Sequence, residues 1–131
     1  MSRPDDRDRA RVLARKADGD DKAMKLLASN PEIDDESVGF HAQQAIEKRL
    51  KAVMAARGFP LKKEHDLGVL LENLAAAGIE APPGADWIDE LTVYARGLRY
   101  EELLDAEPLD REAVVTLVGQ VGEWAGRLID A

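Results

Sequence analysis

The chain has 131 residues, a formal net charge of −8 and no cysteine. That length suits one domain, spanning 1–131, which can bury most of its unfolded surface without a disulfide or a metal. The absence of cysteine excludes disulfide scaffolds, thiol catalysis and cysteine-ligated zinc, and the acidic balance speaks against sequence-blind binding to duplex nucleic acid.

Five helical segments follow one another with no strand pattern, no internal repeat and no low-complexity linker. The first runs from about Asp5 to Ser29, with Ala10, Leu13, Ala17, Met24 and Leu27 as its apolar stripe. Its N-terminal part, SRPDDRDRARVLARK, is charged where a secretory leader would need an apolar run, and no stretch reaches the length of a membrane span. A cytoplasmic protein without membrane contact is expected. The insert Asp18-Gly19-Asp20-Asp21 interrupts the stripe, and Asp20 falls on it. It reads as a kink or a place of local hydrogen bonding, since its spacing does not fit a calcium loop. Asn30-Pro31 then stops the helix.

The second helix opens at Asp34, Asp35 and Glu36, acids that suit the positive end of a helix, and closes at Gly58 with Pro60 just beyond. On a helical wheel Val38, Ala42, Ala45, Ile46, Leu50, Val53 and Ala56 gather on one side as a core stripe. Phe40 falls on the other side, among Gln44, Glu47 and Lys51. That face therefore meets something besides its own core: the fourth helix, a second subunit or a ligand. A phenylalanine filling a core wide enough to bury the helix on two sides is the plainer reading. Lys48, Arg49, Lys51, Arg57, Lys62 and Lys63 form a local basic run, readable as a solvated face with helix C-terminal cations.

The third helix spans about Asp66 to Ala77, with Leu67, Leu70, Leu71 and Leu74 as its stripe and Gly78 as its stop. After the loop Ala81-Pro82-Pro83-Gly84, a fourth is expected from Asp86 to Asp105, with Trp87, Leu91, Tyr94, Ala95 and Leu98 on one face. The fifth starts at the N-cap Asp110 and carries Val114, Leu117, Val118, Val121, Ala125 and Leu128. Short connections between amphipathic helices imply an all-α, antiparallel four- to five-helix up-and-down bundle.

Residues able to do chemistry are few. There are two histidines, His41 and His65, and three serines, Ser2, Ser29 and Ser37. No nucleophile elbow, no glycine-rich phosphate loop and no His-x-x-x-His pair is present. No metal site and no cofactor is expected. In TVYARGLRY, Thr92, Arg96 and Arg99 are helix-face neighbours, and Tyr100 lies beside them opposite the apolar stripe. Two close guanidiniums can fork a phosphate or carboxylate; they can equally pair with Asp89 or Glu102 at a wet surface.

The blocks FHAQQAIEKRLKAVM, KEHDLGVLLENL and YARGLRYEE, in this order, resemble the HEPN domain, and most of all the small prokaryotic HEPN proteins encoded beside minimal nucleotidyltransferases. The matching residues are Phe40, His41, Ala42, Gln43, Gln44, Ala45, Glu47, Lys48 and Lys51, then His65, Asp66 and Leu67, then Ala95, Arg99 and Tyr100. The resemblance covers roughly residues 10 to 105, and Arg49 departs from it, standing where the family usually has a small or apolar residue. It implies a helical bundle, commonly a homodimer, with Phe40, His41, Gln44 and Glu47 at or beside the interface. Lys48, Lys51, His65, Arg96, Arg99 and Tyr100 are the candidate ligand-binding groove, for a nucleotide or another phosphate ligand. A separately encoded nucleotidyltransferase is the implied partner. The family also includes ribonucleases marked by Arg, four to six residues, then His. Here only Arg57 precedes a histidine closely, and seven residues separate it from His65. A non-catalytic binding module is therefore expected, with a divergent ribonuclease toxin, using His41 or His65 with Arg96 or Arg99, as the alternative.

Overall fold

Three capping residues set most of the helix starts. Asp34 accepts the Ser37 N–H at 2.7 Å, Asp66 accepts that of Val69 at 3.2 Å, and Asp110 accepts that of Ala113 at 3.1 Å. The bond from Ser37 holds the Asp34 carboxyl below its ordinary value of 3.8. The computed structural model describes residues 4–61, 63–95 and 107–130. Among them the regular structure is helical: α1 (Pro4–Ala28), α2 (Asp35–Ala56), α3 (Leu67–Ala76), α4 (Ala85–Ile88), a 3-10 helix (Asp89–Ala95) and α5 (Arg111–Asp130). No helix in this set is long and apolar enough to cross a membrane.

α2 is the centre of the bundle. Its predicted stripe is buried, and so are Gly39, Gln43, Glu47, Ala52, Met54 and Ala55. Burial thus extends well beyond one stripe, because alanines on several faces let neighbours approach closely. α1 crosses it antiparallel, as Asp18 and Asp20 near the middle of α1 reach Arg49 and Lys48 late in α2. α5 runs in the same direction as α2. Its first turn meets Asp35, and a Cβ placed on Gly122 would lie 3.5 Å from the Arg49 Nε. Gly39 is fixed by a close approach: the Tyr94 ring lies where its Cβ would be, with a ring carbon at 2.6 Å. At the other end Gly58 (φ 81°) turns the chain back after α2.

Some expected elements change shape. α1 runs through Asp18-Gly19-Asp20-Asp21 without a break. Asp18 and Asp20 reach across to α2 instead, so cross-helix ion pairs accommodate the insert. The fourth segment is α-helical only for Ala85–Ile88 and then tightens into the 3-10 helix. That stretch answers to tertiary partners. Thr92 Oγ1 accepts the Leu67 N–H at 2.9 Å, and Tyr94 packs over Gly39. Ile88 and Leu91 are its buried residues, whereas Trp87 and Tyr94 are only partly covered. The remainder of that predicted helix, with Leu98, Arg96, Arg99 and Tyr100, lies outside the described residues. In α5, Trp124 is among the largest fully buried side chains and Ile129 is also buried, while Leu128 is partly exposed. The Trp124 indole N–H has no hydrogen-bond partner among the described residues.

Arg111 ties three helix ends together. Its Nε donates to Asp35 Oδ1 at 3.0 Å, and Nη1 donates to the carbonyls of Leu27 and Ala28 at 3.3 Å and of Asn30 at 3.1 Å. Its Nη2 donates to the Ile33 carbonyl. The last carbonyls of a helix have no partner within it, so a forked cation here completes the end of α1. Replacing Arg111 by Met removes these donors while keeping bulk. The expected loss in urea unfolding is about 2–4 kcal/mol, from several bonds to one charged group at a partly buried site.

Candidate interaction face on α2

Two polar clusters border the exposed edge of α2. The first begins with Phe40, which is 41% exposed despite its place in the central helix. The Phe40 ring meets His41 edge-on, with centroids 5.4 Å apart and planes at 80°. His41 Nδ1 lies 3.1 Å from Asp20 Oδ1, and Lys48 Nζ bonds the other oxygen of the same carboxylate. Asp20 of α1 thereby holds His41 and Lys48 in place from across the helix pair. Phe40 does not fill the core; it stands at the surface on a braced neighbour.

The second cluster surrounds Glu47, whose side chain is 5% exposed. A buried carboxylate is costly unless donors surround it. Gln43 Nε2 donates to Glu47 Oε1 at 2.8 Å, Lys51 Nζ reaches Oε2 at 3.1 Å, and His65 Nδ1 lies 3.0 Å from Oε1. Gln43 is itself fully buried; its oxygen accepts from Gln44 Nε2 at 2.7 Å, and its amide also reaches the His65 carbonyl at 3.3 Å. The network ties α2 to the segment just before α3. The carboxylate occupies Nδ1, so Nε2 is the outward nitrogen of a His65 side chain that is 68% exposed. It can donate or accept one hydrogen bond to an incoming group.

The predicted site residues thus divide. Lys51 and His65 meet on Glu47, which Gln44 joins through Gln43; His41 and Lys48 meet on Asp20, with Phe40 against His41. Lys48 and Lys51 do not combine into a free positive well, because each ends on a carboxylate. Arg49 is likewise committed: Nη2 pairs with Asp18 at 2.5 Å and Nη1 reaches the Ala14 carbonyl at 3.3 Å. Asp18 and Asp20 find partners on α2, and in the sequence only the fall of Asp20 on the apolar stripe of α1 hints at that. Gln43 and Glu47 stand four apart, the spacing of a helix-face pair, and that signal was available. Among the described residues no group of acidic and histidine side chains could hold a metal ion. A depression of about 510 Å³ lined by Trp87, Asp110, Thr116 and Gln120 contains none of these site residues.

The chain is an all-α bundle whose central helix carries an exposed aromatic and a buried carboxylate paired with a mostly exposed histidine. The sequence model of the HEPN domain matches residues 10–128, and the chain belongs to that family. No curated relative and no solved structure matches it.

Removing the Glu47 carboxylate should unsettle the second cluster more than removing the exposed ring above it. Glu47→Ala leaves Lys51 without its acceptor and the Gln43 amide with only the longer bond to the His65 carbonyl, and about 1–3 kcal/mol of stability should be lost. His65→Ala should lose less in the same urea titration, since its ring is mostly in water.

Proposed function

We propose that this HEPN chain is a non-catalytic module that forms a homodimer through the exposed edge of α2, with Phe40 at the contact. The observation that carries the reading is the bracing of Phe40: a 41% exposed ring, supported by a histidine that Asp20 holds. Rigid aromatic anchors surrounded by settled polar groups are typical of contact centres. Charge supports a second copy as the occupant. Lys48 and Asp20 neutralise each other through the same carboxylate that holds His41, so that pair adds no net charge to the contact. A nucleotidyltransferase encoded alongside is the partner of such a dimer. A nucleotide or other phosphate ligand would contact His65 together with Arg96, Arg99 and Tyr100. Lys48 and Lys51 contribute little to that contact while paired.

One observation favours a second reading, that of a divergent ribonuclease: His65 presents its outward nitrogen to solvent with Glu47 behind it. A carboxylate-held imidazole can move a proton. RNA cleavage abolished by His65→Ala would favour that reading over the binding module.

Sedimentation decides the dimer. The wild-type chain should sediment as a dimer at high micromolar concentration, and Phe40→Asp should sediment as a monomer with an unchanged helical circular dichroism spectrum. A wild-type monomer would remove the proposal. Calorimetric titration with ATP and GTP tests the ligand. Binding weakened by salt and lost in Arg96→Ala with Arg99→Ala is expected; no binding at millimolar nucleotide would leave the dimerising module alone.

A further inference from the structure

The outward side of α1 is unlike the rest of this acidic chain. Val12, Gly19 and Leu26 recur every seven residues, and Arg15 and Lys22 fall between them on the same line. Val12 is 44% exposed and Leu26 is 74% exposed. At 1.5 Å per residue the three positions span about 21 Å of continuous helix surface. Arg15 and Lys22 are exposed and have no ion-pair partner among the described residues, whereas Lys48, Arg49, Lys51 and Arg111 are all paired. Arg11 extends the cationic line, sharing Asp8 at 4.0 Å with its own side chain 61% exposed.

Gly19 is the second observation. Glycine within a helix is unfavourable; neighbours require Gly39, under Tyr94, and Gly68, against Asp89, whereas Gly19, like Gly119 and Gly126 of α5, has no such neighbour. A Cβ at Gly19 would meet nothing within 4 Å. The fold therefore gains nothing internal from this glycine. What it does leave is a notch at the middle of the Val12–Leu26 line, where another backbone can come close.

We infer that this ridge of α1 docks an acidic amphipathic helix of a partner protein, with apolar partner residues against Val12 and Leu26 and carboxylates against Arg15 and Lys22. Val12 and Leu26 lie two heptads apart with Gly19 midway, a spacing that matches a helix laid along α1 rather than across it. Charge selects the occupant. A second copy of this chain would set Arg15 and Lys22 against the same cations, so the ridge is distinct from the self-association proposed at Phe40. The apolar positions at each end argue for a helix over a polyanion, which needs only the cations.

The test uses the full chain and a defined probe: a fluorescein-labelled, end-capped helical peptide of roughly three heptads with leucine at each a position and glutamate at d, e and g. Fluorescence anisotropy should show binding that weakens with salt. Arg15→Glu with Lys22→Glu should weaken it at least tenfold, and Leu26→Asp should weaken it severalfold. Gly19→Leu should also weaken it while raising the thermal midpoint, a pairing that simple misfolding cannot produce. All these positions are exposed, so helical circular dichroism should persist. The inference is overturned if the peptide binds the double variant as well as wild type, if it does not bind wild type, or if an oligouridylate of equal charge binds more tightly and insensitively to Leu26→Asp. Phe40→Asp should leave peptide binding intact, which separates this surface from the dimer contact.

Discussion

Burying α2 on several sides is the constraint from which the rest of the structure follows. A helix so enclosed can use little bulk, and Ala42, Ala45, Ala52, Ala55 and Ala56 supply surfaces against which neighbours close up. It must also settle every polar group it carries inward. Glu47 and Gln43 are satisfied by each other, by Lys51 and by the chain leading into α3; Arg49 is satisfied in part by α1. The polar contacts that position His65 and His41 are consequences of that enclosure. The Arg49 Nε, buried without a partner among the described residues, is where the solution stops short. A Cβ on Gly122 would meet that guanidinium in ordinary van der Waals contact, at 3.5 Å.

Much of this order is legible in the sequence, because helix caps and apolar spacing are local. Asp34, Asp66 and Asp110 cap as their positions suggest, and the α2 stripe from Val38 to Ala56 is buried throughout. What escapes the helical wheel is a helix with more than one inside. Glu47 and Gln43 look like solvent-facing residues on a wheel that assumes one core face. Asp18 and Asp20 read as a helix-breaking insert because their partners, 31 and 28 residues away, are invisible to local pattern. The 3-10 helix Asp89–Ala95 departs from an α-helical pattern for the same reason, since Thr92 and Tyr94 are held by α3 and α2. The expected groove illustrates the limit for sites. Helical spacing brings Lys48 and Lys51 near each other, but only the tertiary structure shows that acids already occupy both.

The charge of the molecule is consequently partitioned rather than spread. Lys48, Arg49 and Lys51 of α2 are matched to acids of α1 and α2. On the outside of α1, Arg15 and Lys22 have no ion-pair partner among the described residues. Membership of the HEPN family accounts for the bundle.

The Arg111 clamp also orders the assembly of the chain in time. α1 and α2 are consecutive and joined by a short turn, so their contacts close small loops and can form early. Arg111 reaches back across 84, 83 and 81 residues to the carbonyls of Leu27, Ala28 and Asn30. Those bonds cannot exist until the last helix has arrived. Before then the Leu27 and Asn30 carbonyls have only the local N–H groups of Asn30 and Ile33 as protein donors, and the arrival of the last helix adds a charged donor to both.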